Sequence, residues 1–275
     1  MDERVKPATL FRFESFNAQS LQNLKAGRIY FSHPNAFNDS YDCRLPFQLA
    51  AMTNDDAMRI KRHKIDAAPT KEERVKAQRM SADEAAAQAE RTVKDLVDYA
   101  KKEFMTDNGV ACFTERNDSL LMWGHYGGRF KGYCLEFRTS HDPFRRIHKV
   151  NYSEKIPKLN IADLYINSDD AGRRLLEVYC TKSKDWEYER EWRAIHKSSG
   201  RPFTYDQGAL KAVYFGPEMD REAWEIICLI IAGQHEGVEL WMGRRSEEEF
   251  KVVFDQFKYD SHLAAKQRGE SPVSP

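Results

Sequence analysis

The chain has 275 residues, with 43 Lys and Arg set against 43 Asp and Glu, so its formal net charge at pH 7 is zero. A neutral chain lacks the broad basic surface that coats nucleic acid, although one local basic groove remains compatible with it. No stretch approaches the apolar length of about 18 residues that marks a membrane span. The N-terminal MDERVKPATL carries charge without an apolar signal core, so the chain reads as cytoplasmic.

The first element is a short strand, Leu10-Phe11-Arg12-Phe13. Asn17 suits a helix N-cap, Leu21 and Leu24 give that helix an apolar side, and Gly27 stands where helices end. Arg28–Phe31 reads as a second strand. The following loop, SHPNAFNDSYDC, is dense in turn formers. Residues 47–106 then change character: Ala, Lys, Glu, Arg and Asp dominate, and Gly is absent. Thr70 with Glu73 and Ser81 with Glu84 have capping-box spacing, and Val93, Leu96, Val97 and Ala100 continue a helical stripe. This region reads as two or three helices inserted into the sheet topology, with a solvated outer face.

Strands are expected at 109–114, 132–137 and 147–152, with Ser119 capping a short helix through Trp123. A helix over 163–184 breaks near 169–172. Strands follow at 188–196 and 210–215, then a helix at 221–232 and strands at 238–241 and 250–257. Helices and strands mix without strict βαβ alternation, which favours an α+β fold: a mostly antiparallel, bent sheet or sheets with helices outside. Residues 1–260 read as one domain carrying the 47–106 insertion, and residues 261–275 as a flexible tail. The five cysteines include no CxxC pair and read as reduced core residues.

Three segments carry polar groups without an obvious local duty. In Trp186-Glu187-Tyr188-Glu189-Arg190-Glu191-Trp192-Arg193, strand periodicity puts Glu187, Glu189, Glu191 and Arg193 on one face. Carboxylates in a row repel one another unless cations or substrate hydroxyls answer them. The competing reading is an edge strand with a salt-bridged outer face. In Asn117 through Gly128, Trp123 and Tyr126 share a helical side and could hold a planar ring, while His125 precedes a Gly-Gly turn. Packing alone would also explain that stripe. In Ser32 through Asp42, Asn38, Asp39 and Asp42 either line a polar pocket or only close Asx turns; Arg12 could supply the pocket with a cation. Gly-rich phosphate loops, Ser-His-Asp arrangements and HExxH are missing.

Taken in order, LFRFESFN, IYFSHPNAFNDSYDC, CFTERNDSLLMWGHYGGRFKGYCLEF, KDWEYEREWRAI and AVYFGPEMDREAWEIICLII resemble the bacterial domain-of-unknown-function family numbered 2971. They span residues 9–232, interrupted by the charged helical insertion. The family pattern reads Asp-Pro where this chain has Asp39-Ser40. More distantly, the layout is similar to DNA-targeting ADP-ribosyltransferase toxins. That resemblance implies cleavage of the nicotinamide–ribose bond of NAD, in phage defence or a toxin–antitoxin pair. It makes Glu191 the best match to the catalytic glutamate, with Glu189 second and Tyr126 and His125 beside them. Arg12, Ser32, Asn38, Asp39, Trp123 and Arg193 would bind the NAD. The chemistry is coherent: bond cleavage builds positive charge on the ribose carbon, a carboxylate stabilises it, aromatics stack the nicotinamide and an arginine answers the pyrophosphate.

Two other classes stay open. One is a metal-dependent nuclease or nucleotide-processing enzyme, with Glu187, Glu189, Asp39 and Asp42 around Mg²⁺. The other is a non-catalytic sensor whose helical insertion docks a partner protein. A nucleic acid or a protein would be the target of modification in the first reading, and no membrane is involved.

Overall fold

The structure is a computed structural model, and it describes residues 6–37, 39, 41–43, 47–261 and 266–267. In chain order the first elements are β1 (Thr9–Glu14), α1 (Ala18–Lys25), β2 (Arg28–Phe31), β3 (Gln48–Leu49), α2 (Asn54–Asp66), α3 (Lys71–Arg79), α4 (Ala82–Asp107), β4 (Gly109–Thr114), α5 (Leu120–His125), β5 (Tyr133–Arg138) and β6 (Ile147–Lys149). Then come β7 (Asn151–Ser153), β8 (Lys158–Leu159), α6 (Ile161–Ile166), α7 (Ser168–Tyr179), β9 (Thr181–Ser183), β10 (Glu191–His196), β11 (Arg201–Thr204), β12 (Leu210–Phe215), α8 (Arg221–Gln234), β13 (Glu239–Arg245) and β14 (Val252–Phe257). Short 3-10 turns cover Pro34–Ala36 and Lys184–Glu189. The architecture is α+β. The chain forms two compact units, one from residues 1–32, 109–149 and 187–275, the other from 33–108 and 150–186.

The first unit is built on an eight-stranded sheet in the order β14-β13-β12-β5-β1-β4-β10-β6. All its pairings are antiparallel except β12 with β13, which α8 connects. One face buries Leu10, Phe113, Leu135, Trp192, Val213 and Phe215 under Leu24 of α1 and Trp224, Ile227 and Ile231 of α8. The opposite face buries Phe13, Cys134, Ala212 and Tyr214 under Met122 and Trp123 of α5. Strand alternation explains the division, since neighbours such as Leu10 and Phe13 fall on opposite faces. Asn17 caps α1 as its sequence suggests: its side chain accepts from Ser20 N, and the Ser20 hydroxyl accepts from Asn17 N in return.

The second unit holds the helices of the charged insertion. Thr53, Thr70 and Ser81 each close a capping box, and α4 runs for 26 residues. Its buried side, Ala85, Ala89, Val93, Val97 and Phe104, recurs at helical spacing. A two-residue strand, β3, opens the region and pairs with β8. Gly172 lies within α7, and an added Cβ there meets nothing within 4 Å. Gly172→Ala is therefore expected to raise stability by about 0.5–1 kcal/mol, because it removes the backbone freedom of the unfolded chain without a clash. A denaturant titration that gives no gain would show that α7 is frayed at this point.

Three expected elements differ. The 147–152 strand divides: Ile147–Lys149 joins the large sheet, while Asn151–Ser153 pairs with Thr181–Ser183. The 163–184 helix is two helices separated at Asn167, whose ψ of 55° leaves the helical region, and it ends at Tyr179 before a strand. The 188–196 strand begins only at Glu191. Residues 184–189 form a 3-10 turn, and Arg190, at φ +46°, reverses the backbone before β10. The alternating Glu-Tyr-Glu-Arg-Glu pattern imitates a strand, so periodicity alone could not reveal the turn. Most of the expected tail, residues 262–265 and 268–275, lies outside the described residues.

Candidate functional site

The β10 register decides which side chains meet. Glu191 stands opposite Thr114, Arg193 opposite Cys112, and on the other flank Arg193 opposite His148. Cross-strand partners project to the same side. Glu191, Arg193, Thr114, Cys112 and His148 therefore share one face. Phe11, also opposite Thr114, continues that face toward the aromatic cluster under α5.

Glu191 and Arg193 lie two residues apart and point the same way. The guanidinium forks onto the carboxylate, Nε to Oε1 at 2.8 Å and Nη2 to Oε2 at 3.1 Å. Arg193 is fully buried and Glu191 is 3% exposed. Removing two charges from water is costly, and only a bidentate, hydrogen-bonded geometry of this kind offsets it.

The other half of the site is the junction between α5 and the 184–189 turn. The Ser119 side chain caps α5, accepting from Met122 N. The helix ends at Tyr126, and the Gly127–Gly132 turn folds back beneath it: Gly127 N donates to Met122 O, and Gly132 N to Gly127 O. Two consecutive side chains then meet two consecutive side chains of the turn. The Tyr126 hydroxyl donates to Glu189 Oε1 at 2.6 Å, and His125 Nδ1 lies 3.0 Å from the Tyr188 hydroxyl. Glu189 is buried, whereas His125 is exposed. Two carboxylates flanking Arg190 are thus both withdrawn from water, one answered by a phenol and the other by a guanidinium. Glu187, expected on the same face as Glu189 and Glu191, is instead exposed on the turn.

The remaining expected site residues lie elsewhere. Arg12 alternates onto the Leu10 face, opposite to Glu191. Its Nε donates to Glu14 Oε1 at 2.6 Å, and its guanidinium stands 5.8 Å over the Phe113 ring. Trp123 is fully buried, edge-on to Phe13 at 4.9 Å, with its indole N–H on Asn117 O. It offers no free face for a planar ring and is a packing residue. Ser32 contributes its backbone, in a bridge with Val110. Asp39 belongs to the second unit, where its carboxylate accepts from Tyr41 N at 2.8 Å in an Asx turn. Asn38 lies outside the described residues. In the second unit Asp42 pairs with Lys182 at 3.1 Å, both nearly buried, and Lys182 stands 4.9 Å over the Trp186 ring.

His148, which sequence reading passed over, has its pKa pushed below the ordinary value by burial. The unfolded chain then takes up a proton near pH 6.5 while the folded chain resists it. Stability should fall as pH drops below about 6.5, and this contribution should level off below the folded pKa. His148→Phe should flatten that part of the profile. An unchanged profile would assign the loss to other groups. Glu115 acts at lower pH: burial works against its charge, but hydrogen bonds from Lys149 and Trp192 outweigh burial and hold its pKa down.

Among the described residues, no group of three or more His, Cys, Asp or Glu is placed to hold a metal ion. No helix among them is long and apolar enough to cross a membrane. A family model described as "Protein of unknown function (DUF2971)" matches residues 122–194. That stretch runs from α5 to β10 and contains Tyr126, Glu189, Glu191 and Arg193. No curated protein and no solved structure matches the chain.

Proposed function

We propose that the chain is an ADP-ribosyltransferase-like enzyme that breaks the nicotinamide–ribose bond of NAD. The observation that carries this reading is the pair of buried carboxylates, Glu189 and Glu191, held by Tyr126 and Arg193 at the α5–β10 end of the sheet.

The reaction needs little covalent chemistry from the protein. The C1′–N bond breaks, and its electron pair leaves with nicotinamide and neutralises the pyridinium. The ribose carbon becomes oxocarbenium-like. Water or a target hydroxyl then forms the new C1′–O bond and gives up a proton. A fixed carboxylate stabilises the charge, holds a ribose hydroxyl and can accept that proton. Glu191 takes this role, and Arg193 is a positioning residue whose two-pronged contact fixes the carboxylate's rotamer. Tyr126, oriented by Glu189, supplies an aromatic face at the turn that precedes β10. Arg12 leaves the scheme, because it is committed to Glu14 on the other face. Arg193 likewise leaves the role of pyrophosphate partner, because it is committed to Glu191.

The test is direct. Purified protein incubated with NAD should deplete it and release nicotinamide, measured by chromatography. Glu191→Gln should slow release by about a hundredfold or more, since shape is kept and the charge is lost. Glu189→Gln should slow it less. Folded protein without NAD turnover, alone or with a nucleic-acid or protein acceptor, would overturn the proposal.

A further inference from the structure

The sheet face that carries Glu191 holds a second polar centre, which the reaction above does not use. Strand register sets Glu191 opposite Thr114, Thr114 opposite Phe11 and Phe11 opposite Glu136, so these side chains form one row across β10, β4, β1 and β5. Three steps of about 4.8 Å put the two glutamates roughly 14 Å apart along that row. Glu136 is 3% exposed, and each of its carboxylate oxygens takes one hydrogen bond. Oε1 accepts from Lys211 Nζ at 2.9 Å and Oε2 from the Tyr214 hydroxyl at 2.7 Å.

Lys211 reaches Glu136 because β12 is bulged. Leu210 stands opposite Phe137 and Ala212 opposite Glu136, which makes Lys211 an extra residue against one step of β5. Such bulges re-aim a side chain and recur beside active sites. The Lys211 side chain is 34% exposed, so the carboxylate lies deeper than the ammonium. Aromatic rings flank the pair. Tyr214 stacks on Trp241 with centroids 5.9 Å apart, and Phe11 stands edge-on to Tyr214 at 5.9 Å. Trp241 and Phe11 are themselves only half-buried.

We propose that this centre is an adenine subsite, with Trp241 and Phe11 against the flat ring and Glu136 and Lys211 reading its edge. A carboxylate accepts about four hydrogen bonds and an ammonium donates three, so both groups keep capacity beyond the contacts they already make. Side by side they present an acceptor next to a donor. Adenine offers the complement, its N6 amine donor beside its N7 acceptor. A 6-oxo purine offers two acceptors, and its O6 would face the carboxylate. The inference rests on the NAD reading, in which Glu191 holds the nicotinamide ribose and the adenine is the far end of the same extended molecule.

Isothermal titration calorimetry with AMP and inosine monophosphate tests it, because the two share ribose and phosphate and differ at the purine 6-position. The parent protein should prefer AMP by about tenfold. Glu136→Gln with Lys211→Met should bind both nucleotides equally. Neutralising both partners together avoids the unpaired buried charge that either single change would leave, which guards against a variant that fails to fold. Trp241→Leu should weaken both nucleotides alike. Equal affinities in the parent, no binding of either nucleotide, or a preference that survives the double variant would overturn the proposal. Nicotinamide release from NAD, measured separately, tells the two readings apart. Release without an AMP preference would remove the subsite and keep the reaction. An AMP preference without release would remove the reaction and keep an adenine-nucleotide site.

Discussion

Arg193→Met should lower the melting temperature by on the order of 10 °C. The substitution leaves Glu191 charged, 3% exposed and without the fork that answers it. Breaking a buried pair from one side costs about 3–5 kcal/mol, and each kcal/mol moves the transition of a chain this long by about 2–4 °C. Glu191→Gln should cost somewhat less, about 2–4 kcal/mol: it leaves the fully buried Arg193 charge facing a neutral amide, but the amide oxygen still accepts one of the two hydrogen bonds. Arg193→Lys should fall between them, since a point charge cannot reproduce a two-pronged contact. The double variant Glu191→Gln/Arg193→Met should lose less than the sum of the singles, because each single already removes most or all of the shared interaction. Thermal melts and denaturant titrations read all four. A melting temperature for Arg193→Met within about 1 °C of the parent would mean that the pair carries no load. The series also separates structure from chemistry: if Glu191→Gln abolishes NAD turnover at a temperature where it stays folded, the carboxylate acts in the reaction and does not merely hold the sheet.

Arg12 with Glu14 and Glu191 with Arg193 teach the same lesson. Both are opposite charges two apart on a strand, and strand periodicity already puts such residues on one face. Reading Arg12 as a free cation for a distant pocket overlooked the partner two residues on. The faces themselves were also legible, since Arg12 alternates with Phe11 and Phe13. Strand register was not. Nothing in the sequence sets His148 opposite Arg193, or brings Tyr188 and Glu189 to His125 and Tyr126, because those meetings depend on which strands pair. Capping was legible to the residue at Asn17, Thr70, Ser81 and Ser119, where a side-chain oxygen answers a nearby backbone N–H. The turn before β10 left one weak signal: Ser183 Oγ accepts from Asp185 N, the mark of a chain leaving a strand. Alternating charge hid it, and Glu187 was placed on the wrong face as a result.

Gly132→Ala should abolish the folding of the sheet unit, with a loss above about 4 kcal/mol. A Cβ at this position would run into the carbonyl oxygen of Glu14 and stand 2.8 Å from that of Gly127. Both obstacles are backbone, so no side-chain rotation relieves them. The neighbours are equally committed. Gly132 N donates to Gly127 O at 2.8 Å, and its carbonyl accepts from Gly216 N at 2.9 Å. Glu14 is the β1 partner of Tyr133, the first residue of β5. Making room for one methyl would therefore part β1 from β5 at the centre of the sheet, or open the turn that ends α5. Gly216→Ala should act alike, since its Cβ would meet the Phe130 carbonyl. The turn between Gly127 and Gly132 already holds Arg129 and Phe130 at φ +56° and +69°, conformations that cost side-chain-bearing residues about 1–2 kcal/mol each. It has little slack to absorb more. Circular dichroism and soluble yield would report the result, with Gly172→Ala as the control of opposite sign. A Gly132→Ala protein that melts within a few degrees of the parent would show that the α5–β5 turn can move. Tyr126, fixed at the start of that turn, would then not be rigidly placed on Glu189, and the candidate site would lose the preorganisation that its chemistry requires.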